Sequence, residues 1–221
     1  MNAEQSTAAK PTIFAVDDDA SVLDSVAIAL RRVDAPLECF HSAEDFLDLW
    51  GGPRPGCLVL DIRMNGMSGI ELHQKLTQEH DYLSVVMVTG HATVPLSVDA
   101  MKRGAISVLE KPYSPEQLRQ VVNDGLKLSA DLWQRNRYRA DYELKRSSLS
   151  PREQEVYRLL LEGHENKQIG LRLDISPSTV EKHRLAVVKK MGTDNITQLF
   201  GQKFEATGTI HDSWNDDERI D

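Results

Sequence analysis

Residues 58–69 have the sequence LVLDIRMNGMSG, and this stretch decides the fold of the first half of the chain. An apolar run ends at the carboxylate of Asp61, and Gly66 and Gly69 then mark a tight turn before a helical pattern begins. A short apolar run between turn signals is typical of a strand that is buried on both faces of a sheet. The stretch therefore predicts a buried parallel strand with an aspartate at its carboxyl end.

The same alternation of apolar runs and amphipathic segments extends over the first half of the chain. The predicted strands are residues 13–16, 37–40, 57–60, 85–88 and 106–109, and the predicted helices are residues 21–32, 42–49, 68–79, 93–103 and a segment starting at Ser114. Strands that alternate with helices imply right-handed crossover connections. The predicted fold class is α/β, with a doubly wound, five-stranded parallel sheet.

Polar side chains follow the ends of four of these strands. Asp17 and Asp18 follow the first strand, Asp61 the third, Thr89 the fourth and Lys111 the fifth. We expect these residues to meet, because the crevice outside the carboxyl ends of parallel strands is the usual site of such sheets. A nucleophilic Asp61 would need a divalent cation to approach an anionic phosphoryl donor, and Asp17 and Asp18 could hold Mg²⁺ there. Lys111 and Thr89 could then donate to the phosphoryl oxygens.

Residues 166–191, NKQIGLRLDISPSTVEKHRLAVVKKM, predict two helices joined by a short turn at residues 173–176. Further helices are predicted at residues 151–162 and 196–204, and Ser150 with Glu153 predicts a capping box. A small all-α domain with a helix-turn-helix is therefore expected after the sheet. The side chains predicted to pack inside it are Ile169, Leu173, Ile175, Val180, Val187 and Val188.

The opposite side of the second helix is basic and could enter the major groove of double-stranded DNA. Lysine and arginine neutralise phosphates, while side chains near the start of the helix read base edges. A basic helix face is usually only solvated surface, but the capped turn before this helix favours the interpretation that the helix binds DNA. This face carries Thr179, Lys182, His183, Arg184, Lys189 and Lys190 against one acid, Glu181.

Charged residues are distributed unevenly between the two predicted domains. The net charge of −8 arises mainly from residues 1–127, with 11 basic and 18 acidic side chains, and from residues 206–221, with 1 and 5. Residues 148–205 carry 9 basic and 8 acidic side chains, so the overall acidity does not exclude a nucleic-acid partner. The predicted domains are a phosphoacceptor domain at 11–127, a helical linker at 128–147, a helix-turn-helix domain at 148–205 and a disordered acidic tail at 206–221.

No apolar stretch approaches the ~20 residues that span a bilayer, and the first residues, MNAEQSTAAKP, lack the apolar core of a signal peptide. We therefore expect a cytoplasmic protein with no membrane partner. Cys39 and Cys57 lie in strand-like surroundings, which predicts two reduced, buried thiols.

Residues 11–127 resemble a receiver domain of the FixJ type of response regulators. The resemblance rests on VDDD, CLVLDIRMNGMSGIEL, VMVTGHATVPLSVDAMKRGA and EKPYSPEQL. It implies a flavodoxin-like sheet in which Asp61 accepts phosphate from a histidine kinase. It also implies that Asp17, Asp18, Asp61 and the carbonyl group of Arg63 bind Mg²⁺, and that Thr89 and Lys111 sense the phosphate. A homodimer of the phosphorylated form, through the fourth helix, fifth strand and fifth helix, is implied as well.

Two positions depart from the usual receiver pattern. Asn65 lies where the family usually has proline, which predicts a loop of altered stiffness with its chemistry intact. Val108 lies where the family usually has an aromatic switch residue, so coupling between Thr89 and an inward-turning ring is not predicted. The Lys111–Pro112 bond is expected to be cis.

Residues 149–192, LSPREQEVYRLLLEGHENKQIGLRLDISPSTVEKHRLAVVKKMG, are similar to the NarL/LuxR-type DNA-binding domain. The resemblance implies that Glu181, Lys182 and Leu185 face bases, and that Thr179, His183, Arg184 and Lys189 lie nearer the DNA backbone. Gly170 replaces the usual alanine and should weaken its helix by up to about 1 kcal/mol. Asp174 replaces the usual glycine and should adopt a left-handed conformation, which aspartate tolerates better than most residues.

Three functions are compatible with these patterns. The favoured one is a two-component transcriptional regulator that is not an enzyme. A phosphorylation-controlled switch whose C-terminal helices bind a protein partner is the alternative. A phosphohydrolase with an aspartyl-phosphate intermediate is disfavoured because Ile62, Arg63 and Met64 follow Asp61, where such an enzyme needs a second carboxylate.

Overall fold

The computed structural model describes residues 10–79 and 82–208. Its first unit contains a five-stranded parallel sheet with the strand order β2-β1-β3-β4-β5. The strands are β1 Thr12–Val16, β2 Leu37–Phe40, β3 Gly56–Asp61, β4 Ser84–Thr89 and β5 Ser107–Glu110. The order changes direction between β1 and β3, which places a crevice at the carboxyl ends of these two strands.

Helices cover both faces of the sheet. They are α1 Ala20–Leu30, α2 Ala43–Leu49, α3 Gly69–Glu79, α4 Val94–Lys102 and α5 Pro115–Ser147. Buried side chains of α1 and α5 pack on one face, and those of α2, α3 and α4 pack on the other. The three layers confirm the predicted doubly wound α/β fold.

The central strands are apolar between their ends because both of their faces are covered. Phe14 and Val16 contribute to the core below α2, α3 and α4, while Ile13 and Ala15 contribute to the core below α1 and α5. All four side chains are at most 1% exposed. Successive residues of a strand point to opposite faces, so this run has no polar alternation.

The C-terminal unit is helical. Its elements are α6 Pro151–Leu161, α7 Asn166–Leu173, α8 Pro177–Met191 and α9 Ile196–Thr207. The chain divides into its two compact units between Gln134 and Arg135, inside α5, and the residues predicted as a linker all lie in this helix. The predicted capping box of Ser150 and Glu153 is present, and Ser176 caps α8.

The element bounds differ from the predictions mostly by one or two residues at the ends, where strands and helices are least determined by pattern.

Cys57 is buried as predicted, but the prediction for Cys39 was wrong because this thiol is exposed on the edge strand β2. The predicted disorder concerns residues 206–221, of which 209–221 lie outside the described residues and 206–207 belong to α9. Within the described part of the chain, no helix is long and apolar enough to cross a membrane.

Candidate functional site

The ammonium group of Lys111 joins two strand ends that are far apart in sequence. Its Nζ lies 2.7 Å from Oδ2 of Asp17, which follows β1, and 2.7 Å from Oδ1 of Asp61, at the end of β3. The backbone N–H of Lys111 donates to the carbonyl of Thr89 at 2.8 Å, so the end of β4 fixes the start of the lysine side chain. The sheet thus brings Asp17, Asp61 and Lys111 into direct contact. The Lys111–Pro112 bond is cis, as expected.

Burial gives this cluster unusual electrostatics. Asp17 and Asp61 are each 6% exposed. Burial raises the pKa of the Asp61 carboxyl, although the hydrogen bond and charge of Lys111 act in the opposite direction. Burial also lowers the affinity of Lys111 for its proton, but the hydrogen bonds to Asp17 and Asp61 outweigh this and raise the pKa of the lysine. The two carboxylates therefore share one cation at a site where both acids are largely shielded from solvent.

The loop after β3 holds the second oxygen of Asp61. The backbone N–H of Arg63 donates to Oδ2 of Asp61 at 2.7 Å. Gly69 packs so closely below this loop that a Cβ atom there would lie 2.0 Å from the carbonyl oxygen of Asp61. Gly66 has a φ angle of +77°, a left-handed conformation that favours glycine. Both glycines thus allow the tight turn that the sequence predicts, and the turn fixes the orientation of the Asp61 carboxylate.

Asp18 does not contact Lys111 through any hydrogen bond among the described residues and instead faces the loop after β3. Its Oδ2 accepts from the backbone N–H of Asn65 at 3.0 Å and from the side-chain amide of Asn65 at 2.7 Å. Proline, the usual residue at this position in receiver-like sequences, has neither donor. The sequence showed that Asn65 was unusual, but the pattern gave no indication that it would bind Asp18.

Thr89 lies at the carboxyl end of β4, as predicted, and is 1% exposed. Its hydroxyl accepts from the backbone N–H of His91 at 3.3 Å, within its own loop. Thr89 is thus next to the acidic cluster through its carbonyl group, while its hydroxyl is engaged elsewhere. A second hydrogen bond also holds the loop after β4, because Glu110 at the end of β5 accepts from the backbone N–H of Ala92 at 3.1 Å.

The donor set suits Mg²⁺, which prefers carboxylate oxygens and retains several waters and phosphate oxygens. Asp17 and Asp61 approach the same ammonium group, whose single positive charge offsets only one of their two negative charges. Within the part of the chain that the structure describes, no group of three or more His, Cys, Asp or Glu side chains has a metal-binding arrangement. This agrees with the contacts above, because Lys111 lies between two acids and Asn65 holds the third.

The second predicted site is the exposed face of α8, whose side chains fall into two groups. Lys182 and Lys189 are exposed, and Leu185 is 61% exposed. These three side chains are available to a partner. The remaining predicted contacts, Thr179, Glu181, His183 and Arg184, are half-buried.

Several polar groups of α8 serve the domain itself. The hydroxyl of Thr179 bonds the capping hydroxyl of Ser176 at 2.8 Å, and Glu181 accepts from Asn166 of α7 at 2.5 Å. Lys190 lies 2.6 Å from Glu153, the acid of the α6 capping box. This lysine lowers the pKa of Glu153 through their hydrogen bond. Lys190, which the sequence groups with the basic face, therefore forms an ion pair that joins α8 to the start of α6.

The turn between α7 and α8 explains both departures from the usual LuxR-type pattern. Asp174 ends α7 with a φ angle of +52°, so the predicted left-handed conformation is confirmed. Gly170 lies against the turn, and a Cβ atom there would be 2.7 Å from the carbonyl oxygen of Ile175. The predicted weakening of the helix concerns its intrinsic propensity, and the structure adds that the backbone approaches too closely for an alanine at this position without a shift.

Comparison with known protein families agrees with this architecture. Residues 13–123 match the family described as response regulator receiver domain, and residues 147–201 match the bacterial regulatory proteins of the luxR family. The acidic cluster lies in the first match and α8 in the second.

Similar proteins share both domains. The response regulator protein TmoT of Ectopseudomonas mendocina is 36% identical over 187 residues, which are 85% of this chain and 85% of that protein. The transcriptional regulatory protein FixJ of Bradyrhizobium diazoefficiens is 35% identical over 190 residues, 86% of this chain and 93% of that protein. The solved structure of the response regulator StyR is 40% identical with a TM-score of 0.79, and the match covers 88% of this chain and 98% of that one.

The chain therefore belongs to the two-component response regulators, in which a receiver domain precedes a LuxR-type DNA-binding domain. Within that class it is a regulator of the FixJ type, and its function is phosphorylation-dependent regulation of transcription. This confirms the favoured function over a switch that binds a protein partner. The family is one of transcription factors, which agrees with a protein that is not an enzyme, and it implies a histidine kinase and DNA as partners. Receiver domains generally bind Mg²⁺ at the site of phosphorylation.

Proposed function

We propose that Asp61 is the phosphoacceptor of this regulator. The observation that carries this proposal is the contact of a buried Asp61 with Lys111, beside Asp17. Asp61 lies at the switch point of the sheet, the loop after β3 orients its carboxylate through the N–H of Arg63, and the ammonium group of Lys111 is in place for added negative charge. A carboxylate oxygen of Asp61 would attack the phosphorus of a phosphohistidine in the kinase. The P–N bond would break, the histidine would leave, and an acyl phosphate would remain on Asp61.

The ligands that we propose for Mg²⁺ are the carboxylates of Asp17, Asp18 and Asp61 and the carbonyl oxygen of Arg63. Bound there, the ion would reduce the repulsion between Asp61 and an anionic phosphoryl donor. Lys111 would hold a phosphoryl oxygen through the same ammonium group that now contacts Asp61. The hydroxyl of Thr89 would donate to another oxygen after leaving its contact with His91. This change at Thr89 is a local rearrangement that could bias a two-state element of the receiver.

For DNA recognition we propose that α8 enters the major groove. The exposed side chains of Lys182, Leu185 and Lys189 support this function most directly. Thr179, Glu181, His183 and Arg184 complete the proposed contact set, although Thr179 and Glu181 must share their polar groups with Ser176 and Asn166. Phosphate contacts from the lysines would dominate the affinity, and Glu181, Lys182 and Leu185 would contribute most of the sequence preference.

The proposed phosphorylated form is a homodimer, and an apolar face of α4 supports this. Val94, Val98 and Met101 are 78%, 46% and 49% exposed and follow one another at intervals of four and three residues. Side chains with this spacing lie on one side of a helix. The stripe is next to β5, whose residues Ser107, Val108 and Leu109 are half-buried at the edge of the sheet. A two-fold interface through α4, β5 and α5 would present two copies of α8 to a two-fold DNA site.

The test is capture of genomic fragments by the purified full chain with and without beryllofluoride and Mg²⁺, followed by sequencing. We expect a few two-fold sites to be enriched only with this phosphoryl mimic, and Asp61→Asn to lose the enrichment. Equal enrichment without the mimic would contradict phosphorylation-dependent DNA binding. Enrichment in neither state would contradict the proposed role of α8 and favour a protein partner.

A further inference from the structure

Two hydrogen bonds join Asn65 to Asp18 beside the acidic cluster. Both hydrogen bonds from Asn65, at 3.0 Å from its backbone N–H and 2.7 Å from its side-chain amide, end on the same oxygen, Oδ2 of Asp18. A carboxylate has about four lone-pair sites on its two oxygens. Asn65 therefore occupies the acceptor capacity of one oxygen of Asp18, one of the acids proposed as a ligand for Mg²⁺.

The neighbouring acids differ from Asp18 at one of their two oxygens. Asp17 and Asp61 each accept one backbone hydrogen bond, from Asp19 at 3.0 Å and from Arg63 at 2.7 Å. Their other oxygen contacts the flexible side chain of Lys111, which can move with a change in local charge. Asn65 lies on a loop whose shape is fixed by Gly66 and by the hydrogen bond from Met67 to Glu44 at 2.9 Å. An ion that takes Oδ2 of Asp18 must displace donors of this loop, whereas an ion that takes the other oxygen must bind a carboxylate that is held toward Asn65.

We propose that Asn65 lowers the affinity of the receiver for Mg²⁺ by holding Asp18 on the loop after β3. This inference rests on the proposed function, in which Asp18 is a ligand of the ion. Asn65 is then a positioning residue that sets the concentration of Mg²⁺ at which the site is loaded. Since both partners are exposed, water competes with their hydrogen bonds, and the effect amounts to a few-fold change in affinity.

The experiment is calorimetric titration of the full chain with MgCl₂ in the absence of any phosphodonor. Asn65→Ala removes the side-chain donor and should lower the dissociation constant roughly threefold, the lower range of one net hydrogen bond. Asn65→Pro removes both donors and should lower it further, to roughly a fifth of the original value. Ser68→Ala is the matched control from the same loop, because this hydroxyl pairs with Glu71 and should leave the constant unchanged.

A double-mutant cycle with Asp18→Asn separates the inference from the function on which it rests. Asn65→Ala should have no effect on Mg²⁺ binding once Asp18 is replaced. An unchanged or weaker affinity of Asn65→Ala, or an equal gain in the Asp18→Asn background, would overturn the role of Asn65 alone. No detectable binding of Mg²⁺ by the original chain would instead contradict the proposed metal site, and the role of Asn65 with it. If Asn65→Pro does not fold, as judged by circular dichroism, Asn65→Ala still decides the question.

Discussion

The acidic site and the helix-turn-helix are built by opposite means. Lys111 and Asp17 are 94 positions apart, and only the order of the strands brings them within 2.7 Å. The exposed residues of α8 all lie within Pro177–Met191, and their placement needs only one helix with a capped start. A site assembled from distant strand ends depends on every member, whereas a surface on one helix loses function by increments. We therefore expect abrupt losses from changes in the first site and graded losses from changes in the second.

The largest effect should come from Asp61→Asn. Without a nucleophilic carboxylate, Mg²⁺-dependent labelling by a small radioactive phosphodonor should be abolished, while the circular dichroism spectrum should be unchanged. Asp24→Asn, which changes an exposed acid on α1, is the control and should label normally. Persistent labelling of Asp61→Asn would mean that another residue is the nucleophile and that the strand-end cluster has a different role.

Gly170→Ala tests how closely α7 approaches the turn. The added Cβ would lie 2.7 Å from the carbonyl oxygen of Ile175, so the backbone must shift, and we expect a loss of about 1–3 kcal/mol of stability. Gly201→Ala is the matched control in α9, where nothing lies within 4 Å and helix propensity should instead stabilise by up to about 1 kcal/mol. Calorimetric unfolding of the full chain measures both. If both variants are more stable than the original chain, helix propensity alone governs Gly170.

Lys182→Ala should show the graded behaviour of α8. Loss of one phosphate contact should weaken DNA binding about fivefold and reduce the slope of log affinity against log salt by about 1, without a change in phosphodonor labelling. The measurement is fluorescence anisotropy with a captured DNA site at several salt concentrations. A simultaneous loss of labelling would contradict the division of labour between the two domains.

Lys190→Met allows a comparison of two lysines of α8, because Lys190 forms an ion pair with Glu153 at 2.6 Å whereas Lys182 is exposed. Lys190 depresses the pKa of Glu153, so its stabilising contribution is present above the ordinary value of 4.5 and is lost as the pH falls through the depressed pKa. Since the lysine side chain is 39% exposed, we expect a loss of at most about 1 kcal/mol at pH 7. Urea unfolding at pH 7 and at pH 3 tests this. A loss that persists undiminished at pH 3 would assign the effect to packing and not to charge.

Sequence analysis predicted well those elements that are determined by the residues of their own segment. The buried strands and the bounds of α7 and α8 follow from apolar periodicity and caps, which are local properties. The direction of a polar side chain is not local. Nothing in the sequence indicates that Thr89 forms a hydrogen bond with His91 or that Asn65 forms one with Asp18. Nor does it indicate that Lys190 forms an ion pair with Glu153, 37 positions earlier.

Asp174→Gly should have the smallest effect of these changes and tests whether the turn tolerates its aspartate at a cost. A left-handed φ of +52° is strained for a residue with a Cβ atom, although less so for aspartate, and glycine adopts it freely. Glycine also gains more entropy in the unfolded chain, so the net stabilisation should be only about 0.5 kcal/mol. Asp174→Ala keeps the Cβ atom but loses the tolerance of aspartate, so it should destabilise by about 1 kcal/mol. Calorimetry that finds Asp174→Gly less stable than the original would show that the carboxylate of Asp174 contributes more to this turn than its backbone strain removes.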